Sequence, residues 1–577
     1  MDVAGSASIQ GRILRALGLV FVLLAVALSG YSQPSSLPAD GNLTAKIKQL
    51  FAEERWEDVV REVPAVSNRD ADLDYYAGSA LAHLGRWDEA QQVLLAGQHL
   101  VPRDKRFPIE LAGVAFRQKR LPAAAVWLRR GLRLDPTDAY ANDFLGTVYF
   151  LEGNLEAALK YWNRISKPQI ETVQPDHPLR IHPALLDRAL AFSPASELRL
   201  SDLLTSQERV ERLEVFRATR FRLGARPDGK FDVVLNLQER NGWGSNVWES
   251  LLSTFSGVAY QTLYPAYCNL GGSAINIGSL VRWDVEKRRL EGRLTAPLHQ
   301  NPKWRYRLGF DLRNENWDIR DSFAGPAPVR GALNLRREAA SAEIASFNSG
   351  RWGWSTGVEF SHRDYRSVVS GSTLTPALLL AGTQLKPFAQ IHYDLLRVPE
   401  HRFVLRTGAS SELGRIWSQS SHAFAKLQGS IDAHWLPRSE GDDYETRMQI
   451  RSAGTSGQVP FDEFYMLGLE RDNDLWMRAH IGTRDGRKGS APLGRRYFLL
   501  NSEIDKNLYS SGLMTVKLSP FLDSGKIIDP SGNLGSQKWL WDAGLQAKLR
   551  ALGVGVAFVY GKDLRSGNHA FYFTAGR

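Results

Sequence analysis

The feature that most narrows the folds open to this chain is an alternation whose polar face is too highly charged for a soluble sheet. Over residues 304–313, Trp304, Tyr306, Leu308, Phe310 and Leu312 share one face, and Arg305, Arg307, Gly309, Asp311 and Arg313 the other, because successive side chains of a strand point to opposite sides. A soluble sandwich hides its apolar face in a core, yet it seldom lines the opposite face with three arginines. A barrel in lipid does so, with aromatics outside and charges in a wet lumen. Met514, Val516, Leu518 and Leu522 alternate in the same way with Thr515, Lys517, Ser519 and Asp523, and Phe498, Leu500 and Ile504 with Asn501, Glu503 and Asp505. The period of two begins at Trp243. Residues 241–577 are therefore predicted to form an antiparallel transmembrane β-barrel of about 16 strands, allowing about 20 residues for each strand and its connection. Closure of the sheet would leave few backbone groups unpaired in lipid.

A different period governs the N-terminal side. Gly78, Ala112 and Gly146 lie 34 residues apart, as do Ala90, Ala124 and Ala158; Trp87, Leu121 and Leu155 hold a third register, and Gly85, Lys119 and Gly153 mark turns. Arg55-Trp56-Glu57-Asp58 echoes Arg86-Trp87-Asp88-Glu89 at a slightly different spacing. Residues 43–166 resemble the tetratricopeptide repeat (TPR), in which small residues let paired helices cross closely and stack into an α-helical solenoid. That resemblance implies a concave surface for a peptide or partner protein, a periplasmic or lipoprotein partner among the options; a spacer module is the alternative.

Residues 168–240 read as strand, two helices and two strands. The extended stretch Gln169–Gln174 precedes a helical pattern from His182 to Phe192. A second helix is expected from Ser206 to Val215, capped by Thr205 or Ser206, followed by strands Ala218–Gly224 and Lys230–Glu239 joined at Arg226-Pro227-Asp228-Gly229. This βααββ order, just before a barrel, resembles a polypeptide-transport-associated (POTRA) domain. A POTRA-like edge strand would accept an extended chain through backbone hydrogen bonds; a folded linker is the other reading.

Between two predicted strands lies Leu475-Trp-Met-Arg-Ala-His-Ile-Gly-Thr-Arg-Asp-Gly-Arg-Lys-Gly489. Its centre, Met477-Arg478-Ala479-His480, is similar to the Val-Arg-Gly-Phe or Leu-Arg-Gly-Tyr signature of the BamA/TamA-like outer-membrane assembly and translocation pores, placed there in a loop that folds back into the barrel. Ala479 stands where that family usually has Gly and His480 where it has an aromatic, so a somewhat different backbone path is expected at the tip. Phe521-Leu522-Asp523-Ser524-Gly525 resembles the family's Phe-x-Asp-x-Gly strand, with Phe521 and Gly525 as its ends, and Glu503 falls where the family carries a lumen-facing acid. The alternation independently puts Glu503 and Asp523 on the polar face. The resemblance implies that Arg478 bridges to Asp523 and Glu503 and locks the loop, through directional charge-assisted bonds. The chain ends Phe571-Tyr572-Phe573-Thr574-Ala575-Gly576-Arg577, so recognition by a barrel-insertion machinery would use Phe571 or Phe573 rather than a final aromatic.

Arg12 and Arg15 precede an apolar run from Ala16 to Leu28, then Ser29, Gly30, Ser32 and Pro34. A run this short reads as a secretory signal peptide over residues 1–32, an uncleaved anchor being the alternative, since a membrane helix needs about 20 apolar residues. Cys268 is the single cysteine, which excludes an intramolecular disulfide and any multi-cysteine metal site. The net charge of +10 comes without a basic block or recognition motif, so no nucleic acid is expected; anionic lipid headgroups suit a diffuse basic surface. No nucleophile elbow, phosphate loop or zinc-protease motif is present, and neither enzyme activity, metal nor cofactor is expected. The expected function is insertion or translocation of unfolded outer-membrane or secreted polypeptides at the cell outer membrane, with the N-terminal domains in the periplasm and lipid around the barrel. A dedicated two-partner-type secretion pore and a passive porin or structural scaffold remain open.

Overall fold

A computed structural model of the chain describes residues 39–63, 70–244, 247–320, 328–369, 374–437, 443–511, 514–529, 534, 538–551 and 554–576. The signal peptide expected over 1–32 lies outside the described residues. The chain divides into two compact units, residues 1–152 with 158–171 and 223–232, and residues 153–157 with 172–222 and 233–577.

The N-terminal region is α-helical: α1 Ala39–Ala52, α2 Trp56–Glu62, α3 Ala71–His83, α4 Trp87–Leu100, α5 Arg106–Arg117, α6 Leu121–Leu134, α7 Ala139–Leu151 and α8 Leu155–Trp162. The registers spaced by 34 residues take on physical roles. Trp87, Leu121 and Leu155 each open the second helix of a pair. Ala90, Ala124 and Ala158 are completely buried. A Cβ on Gly78 would stand 2.5 Å from Leu94 Cγ, and one on Gly146 2.4 Å from the Trp162 ring, so each glycine is the condition for its helix crossing. Gly85, Lys119 and Gly153 all have positive φ, 77°, 60° and 70°, and reverse the chain between paired helices. Tyr75 Oη donates to Glu110 Oε1 at 3.4 Å across neighbouring pairs.

A mixed α/β segment follows, in the expected order: β1 Ile170–Pro175, α9 Pro183–Ala189, α10 Leu200–Arg212, β2 Phe216–Ala225 and β3 Phe231–Glu239, with sheet order β1-β3-β2. The second helix begins at Leu200, earlier than the expected Ser206. Thr205 and Ser206 do not cap it; from mid-helix their hydroxyls donate to the carbonyls of Ser201 and Asp202, both at 2.7 Å, which leaves both residues compatible with a helix interior. The two helices pack on turns of the following sheet. Arg209 donates to the carbonyls of Phe347 (3.0 Å) and Asn348 (3.1 Å), Thr205 Oγ1 accepts from Gly350 N at 3.0 Å, and the amide of His182 donates to Gly272 O at 2.7 Å.

The alternation expected from Trp243 onward is interrupted by a helix, α11 Val247–Phe255. Val247, Leu251, Phe255 and Val258 recur at helical spacing, which favours one apolar helix face over the two faces of a strand. The strands of the wall are β4 Thr262–Leu263, β5 Ala266–Leu270, β6 Ile275–Trp283, β7 Lys287–Leu298, β8 Asn301–Arg320, β9 Val329–Ser346, β10 Trp352–Val369, β11 Gly382–Val398, β12 Phe403–Trp417, β13 Ser421–Trp435 and β14 Tyr444–Gly457. After the short loop strands β15 Tyr465–Met466, β16 Thr483–Arg484, β17 Arg487–Lys488 and β18 Leu493–Gly494, the wall resumes with β19 Arg496–Ser510, β20 Met514–Ile528, β21 Leu540–Ala551, β22 Val554–Asp563 and β23 His569–Gly576. Consecutive wall strands pair antiparallel, β14 pairs directly with β19, and the strand order closes on itself where β23 neighbours β4.

Both β4 and β5 pair with β6, so they are two pieces of one strand. Among the described residues the wall then has 15 strands, β4/β5 counted once with β6–β14 and β19–β23. The difference from about 16 arises where α11 takes the place of an alternating segment. With an odd number of alternating strands, β5 and β23 run in the same direction on either side of the seam.

The alternation sorts side chains as expected. Leu308, Phe310, Leu312, Ile504, Met514 and Leu522 are exposed on the outer face, whereas Asp505, Ser519 and Asp523 are buried inside. Among the described residues no helix is long and apolar enough to cross a membrane. Cys268 sits half-buried on β5.

Candidate functional site

The connection between β14 and β19, residues 458–495, carries the most specific chemistry. Long loops in a compact fold are usually functional. This one touches inward-facing side chains from strands on every side of the closed sheet, which places it within the lumen.

Arg478 stands at its centre. Its Nε donates to Asp523 Oδ2 at 2.8 Å and its Nη2 to Asp523 Oδ1 at 2.6 Å; Nη1 donates to Glu503 Oε2 at 2.9 Å. The backbone N–H of Arg478 also reaches Asp523 Oδ2, at 3.1 Å. Asp523 is completely buried, and Asn501 Nδ2 adds a further bond to it at 2.8 Å. The Phe521 ring lies 3.9 Å beneath the guanidinium carbon. Bidentate pairing plus a ring face uses the planar geometry that distinguishes arginine from lysine. Lys548 Nζ, 2.8 Å from Glu503 Oε1, balances the second carboxylate.

The neighbouring residues of the two motifs serve this contact. Met477 is fully buried and packs with Leu467, Leu475, Tyr497 and Leu499. A Cβ on Gly525 would approach Met477 Sδ to 3.0 Å, so the glycine on β20 leaves room for the loop. Ala479 donates its N–H to Asp542 Oδ2 at 2.6 Å. Its φ is not among the positive values of the chain, so alanine here costs no left-handed strain. A Cβ on Gly561 would lie 3.0 Å from Arg478 O; the loop backbone crosses β22 at that point. His480 is buried between Asp542, 3.0 Å from Nδ1, and Asp563, 3.8 Å from Nε2. Phe571 and Phe573 lie far from this cluster in kind: both are exposed on the outer face of β23, and Phe573 O accepts from Tyr260 Oη at 2.7 Å beside the seam.

Two further sets of ion pairs hold the same loop, and sequence reasoning missed both. Glu463 lies within 3.3 Å of Lys386 Nζ, 3.2 Å of Lys426 Nζ, 3.4 Å of Arg363 and 3.5 Å of Arg337. Its neighbour Asp462 accepts from Arg363 (2.8 Å) and Tyr365 Oη (2.7 Å). On the opposite part of the wall Asp472 pairs with Arg282 (2.8 Å) and Arg289 (2.7 Å), Glu470 with Lys287 (3.2 Å), and Lys488 with Glu315 (2.7 Å). The only signal in the sequence was the run of acids in the loop facing arginines and lysines on the polar faces of β6, β7, β10 and β11. Breaking one buried pair costs about 3–5 kcal/mol in a dry interior and less in a wet lumen. Three sets of contacts therefore hold the loop, around Arg478, around Asp462 and Glu463, and around Glu470, Asp472 and Lys488.

No protein-family model matches the chain, and no curated protein does. Among solved structures, the chain is similar to BamA from Haemophilus ducreyi lacking POTRA domains 1-3, at 13% identity and a TM-score of 0.40 over 71% of this chain and 84% of that one. It is also similar to CdiB from Escherichia coli, at 15% identity and a TM-score of 0.44 over 71% and 75% of the two chains. CdiB from Acinetobacter baumannii follows at 12% and 0.42 over 70% and 73%.

Proposed function

We propose that this chain is an outer-membrane β-barrel of the BamA/TamA-like kind that inserts or translocates client polypeptides. In this reading residues 43–166 are a TPR solenoid and residues 168–240 a POTRA-like domain, both in the periplasm, where they bind client or partner. The observation that carries the reading is the loop lock: Arg478 bonded to both Asp523 and Glu503 inside a sheet whose outer face is apolar. Such an outer face suits lipid, and a charged lumen suits water. A loop pinned on three sides supports work at the rim or seam of the barrel better than free diffusion through it. The sequence carries no phosphate-binding loop, and in this reading the folding of the client supplies the driving energy.

The test is reconstitution of the full chain in liposomes, with the folding of an unrelated unfolded barrel protein timed in the presence of wild type and of Arg478→Ala. The expected result is acceleration by wild type that weakens in the variant. Steady ion conductance without acceleration would instead favour a porin or a dedicated exporter.

A further inference from the structure

Asp523, Asp542 and Asp563 are directly opposed across β20, β21 and β22, Asp523 facing Asp542 and Asp542 facing Asp563 in the strand register. Like charges placed directly opposite on neighbouring strands repel. Arg478 compensates Asp523. Among the described residues, however, Asp542 and Asp563 have no lysine or arginine ion pair, and the side chain they share is His480. All three are buried, with 2% of His480, none of Asp542 and 5% of Asp563 exposed. Protonation of the imidazole balances one carboxylate of the two; a divalent cation balances both.

We infer that His480, Asp542 and Asp563 form a site for one divalent transition-metal ion of the zinc class, which ties the loop tip to β21 and β22. One candidate ligand atom from each residue lies within 4.8 Å of the other two. His480 Nδ1 and Asp542 Oδ1 are 3.0 Å apart, a spacing that two atoms take when each sits about 2.0–2.2 Å from one ion. Beyond that approach to His480 Nδ1, the fully buried Asp542 Oδ1 takes no hydrogen bond, although a buried carboxylate oxygen normally has one. The other polar contacts orient the carboxylates as an outer shell does around a metal. Asp542 Oδ2 accepts from Ala479 N at 2.6 Å and lies 3.1 Å from His480 Nδ1. Asp563 accepts from Arg565 N at 2.9 Å and from Ser566 Oγ. One imidazole with two carboxylates and no thiolate selects zinc, manganese or cobalt over soft ions, and the imidazole disfavours calcium.

The full-length protein, folded in detergent micelles and stripped with a chelator, is titrated with Zn²⁺ at neutral pH and its bound metal counted after dialysis. The expected result is one equivalent in wild type, unaffected by excess Ca²⁺, with affinity reduced at least about tenfold in His480→Ala and in Asp542→Asn. Titration with Co²⁺ gives a visible d–d band in wild type that both variants lose. Asparagine still accepts from Ala479 N; if that variant nonetheless fails to fold, His480→Ala and the wild-type count decide. Absence of stoichiometric metal in wild type, or equal metal in wild type and His480→Ala, overturns the site and leaves a protonated histidine as the counter-charge.

Discussion

The helical region and the lumenal loop hold their chains in place by opposite means. In the helices, position is set by shape: Gly78 and Gly146 admit Leu94 and Trp162 where no other residue would, and the completely buried alanines repeat that arrangement. The loop has little regular structure beyond two-residue strands and one 3-10 turn, Phe461–Glu463. It is held instead by ion pairs to side chains up to 201 positions away in sequence, as between Glu286 and Arg487. Apolar packing tolerates changes in volume poorly. The ion pairs tolerate changes in volume and fail when one partner of a buried set is removed.

The largest expected effect breaks the loop side of this contrast. Glu463→Ala removes the buried carboxylate that Arg337, Arg363, Lys386 and Lys426 share, at a cost of up to about 3–5 kcal/mol. Limited proteolysis should then cut within 458–495 while the helical region stays intact. Gly146→Val is the counterpart on the helical side. Forcing a side chain against Trp162 should cost about 1–3 kcal/mol, seen as an earlier loss of helical circular dichroism, with the β-sheet signal unchanged.

Arg478→Lys sharpens the comparison. The charge is kept and the two-pronged contact with Asp523 is lost, so stability should fall by about 1.5 kcal/mol, and a loop that shape alone held in place would show no change. The smallest effect is a pH dependence in the helices. Burial pushes the Glu110 carboxyl up from its ordinary range, against the bond from Tyr75 that lowers it. The folded state therefore holds this proton more tightly than the unfolded chain, and the stabilisation is present below the ordinary carboxylate range and lost as pH rises through the raised value. Melting temperatures of the helical transition taken between about pH 4 and pH 7 should fall with pH in wild type and flatten in Glu110→Gln.

The same contrast explains what could be read in advance. Local periodicity carries its own geometry, so the 34-residue registers and the two faces of β8 and β20 were legible residue by residue. The bridge from Arg478 to Asp523 and Glu503 was legible because alternation placed both acids inward and a family resemblance supplied the arginine. The ring of cations around Glu463 was not, since a single sequence does not say which of many lumen-facing charges converge. Neither was the start of α10 at Leu200, where Thr205 and Ser206 looked like caps and proved to bond back along the helix. The helix α11 was missed because its short apolar face lay at the edge of a long alternating region and was read as part of it.

The odd strand count has a practical side for topology mapping. Helices α9 and α10 rest on the turns at 271–274 and 347–351, and tracing the alternating strands from those turns brings the end of β23 to the same rim. The start of β4 and the 458–495 loop emerge at the other. An epitope fused after Arg577 and a fluorophore on α9 should therefore be reached, or shielded, together by an impermeant reagent in intact cells, whereas a tag inserted at Ser418–Ser420, between β12 and β13, should respond in the opposite sense.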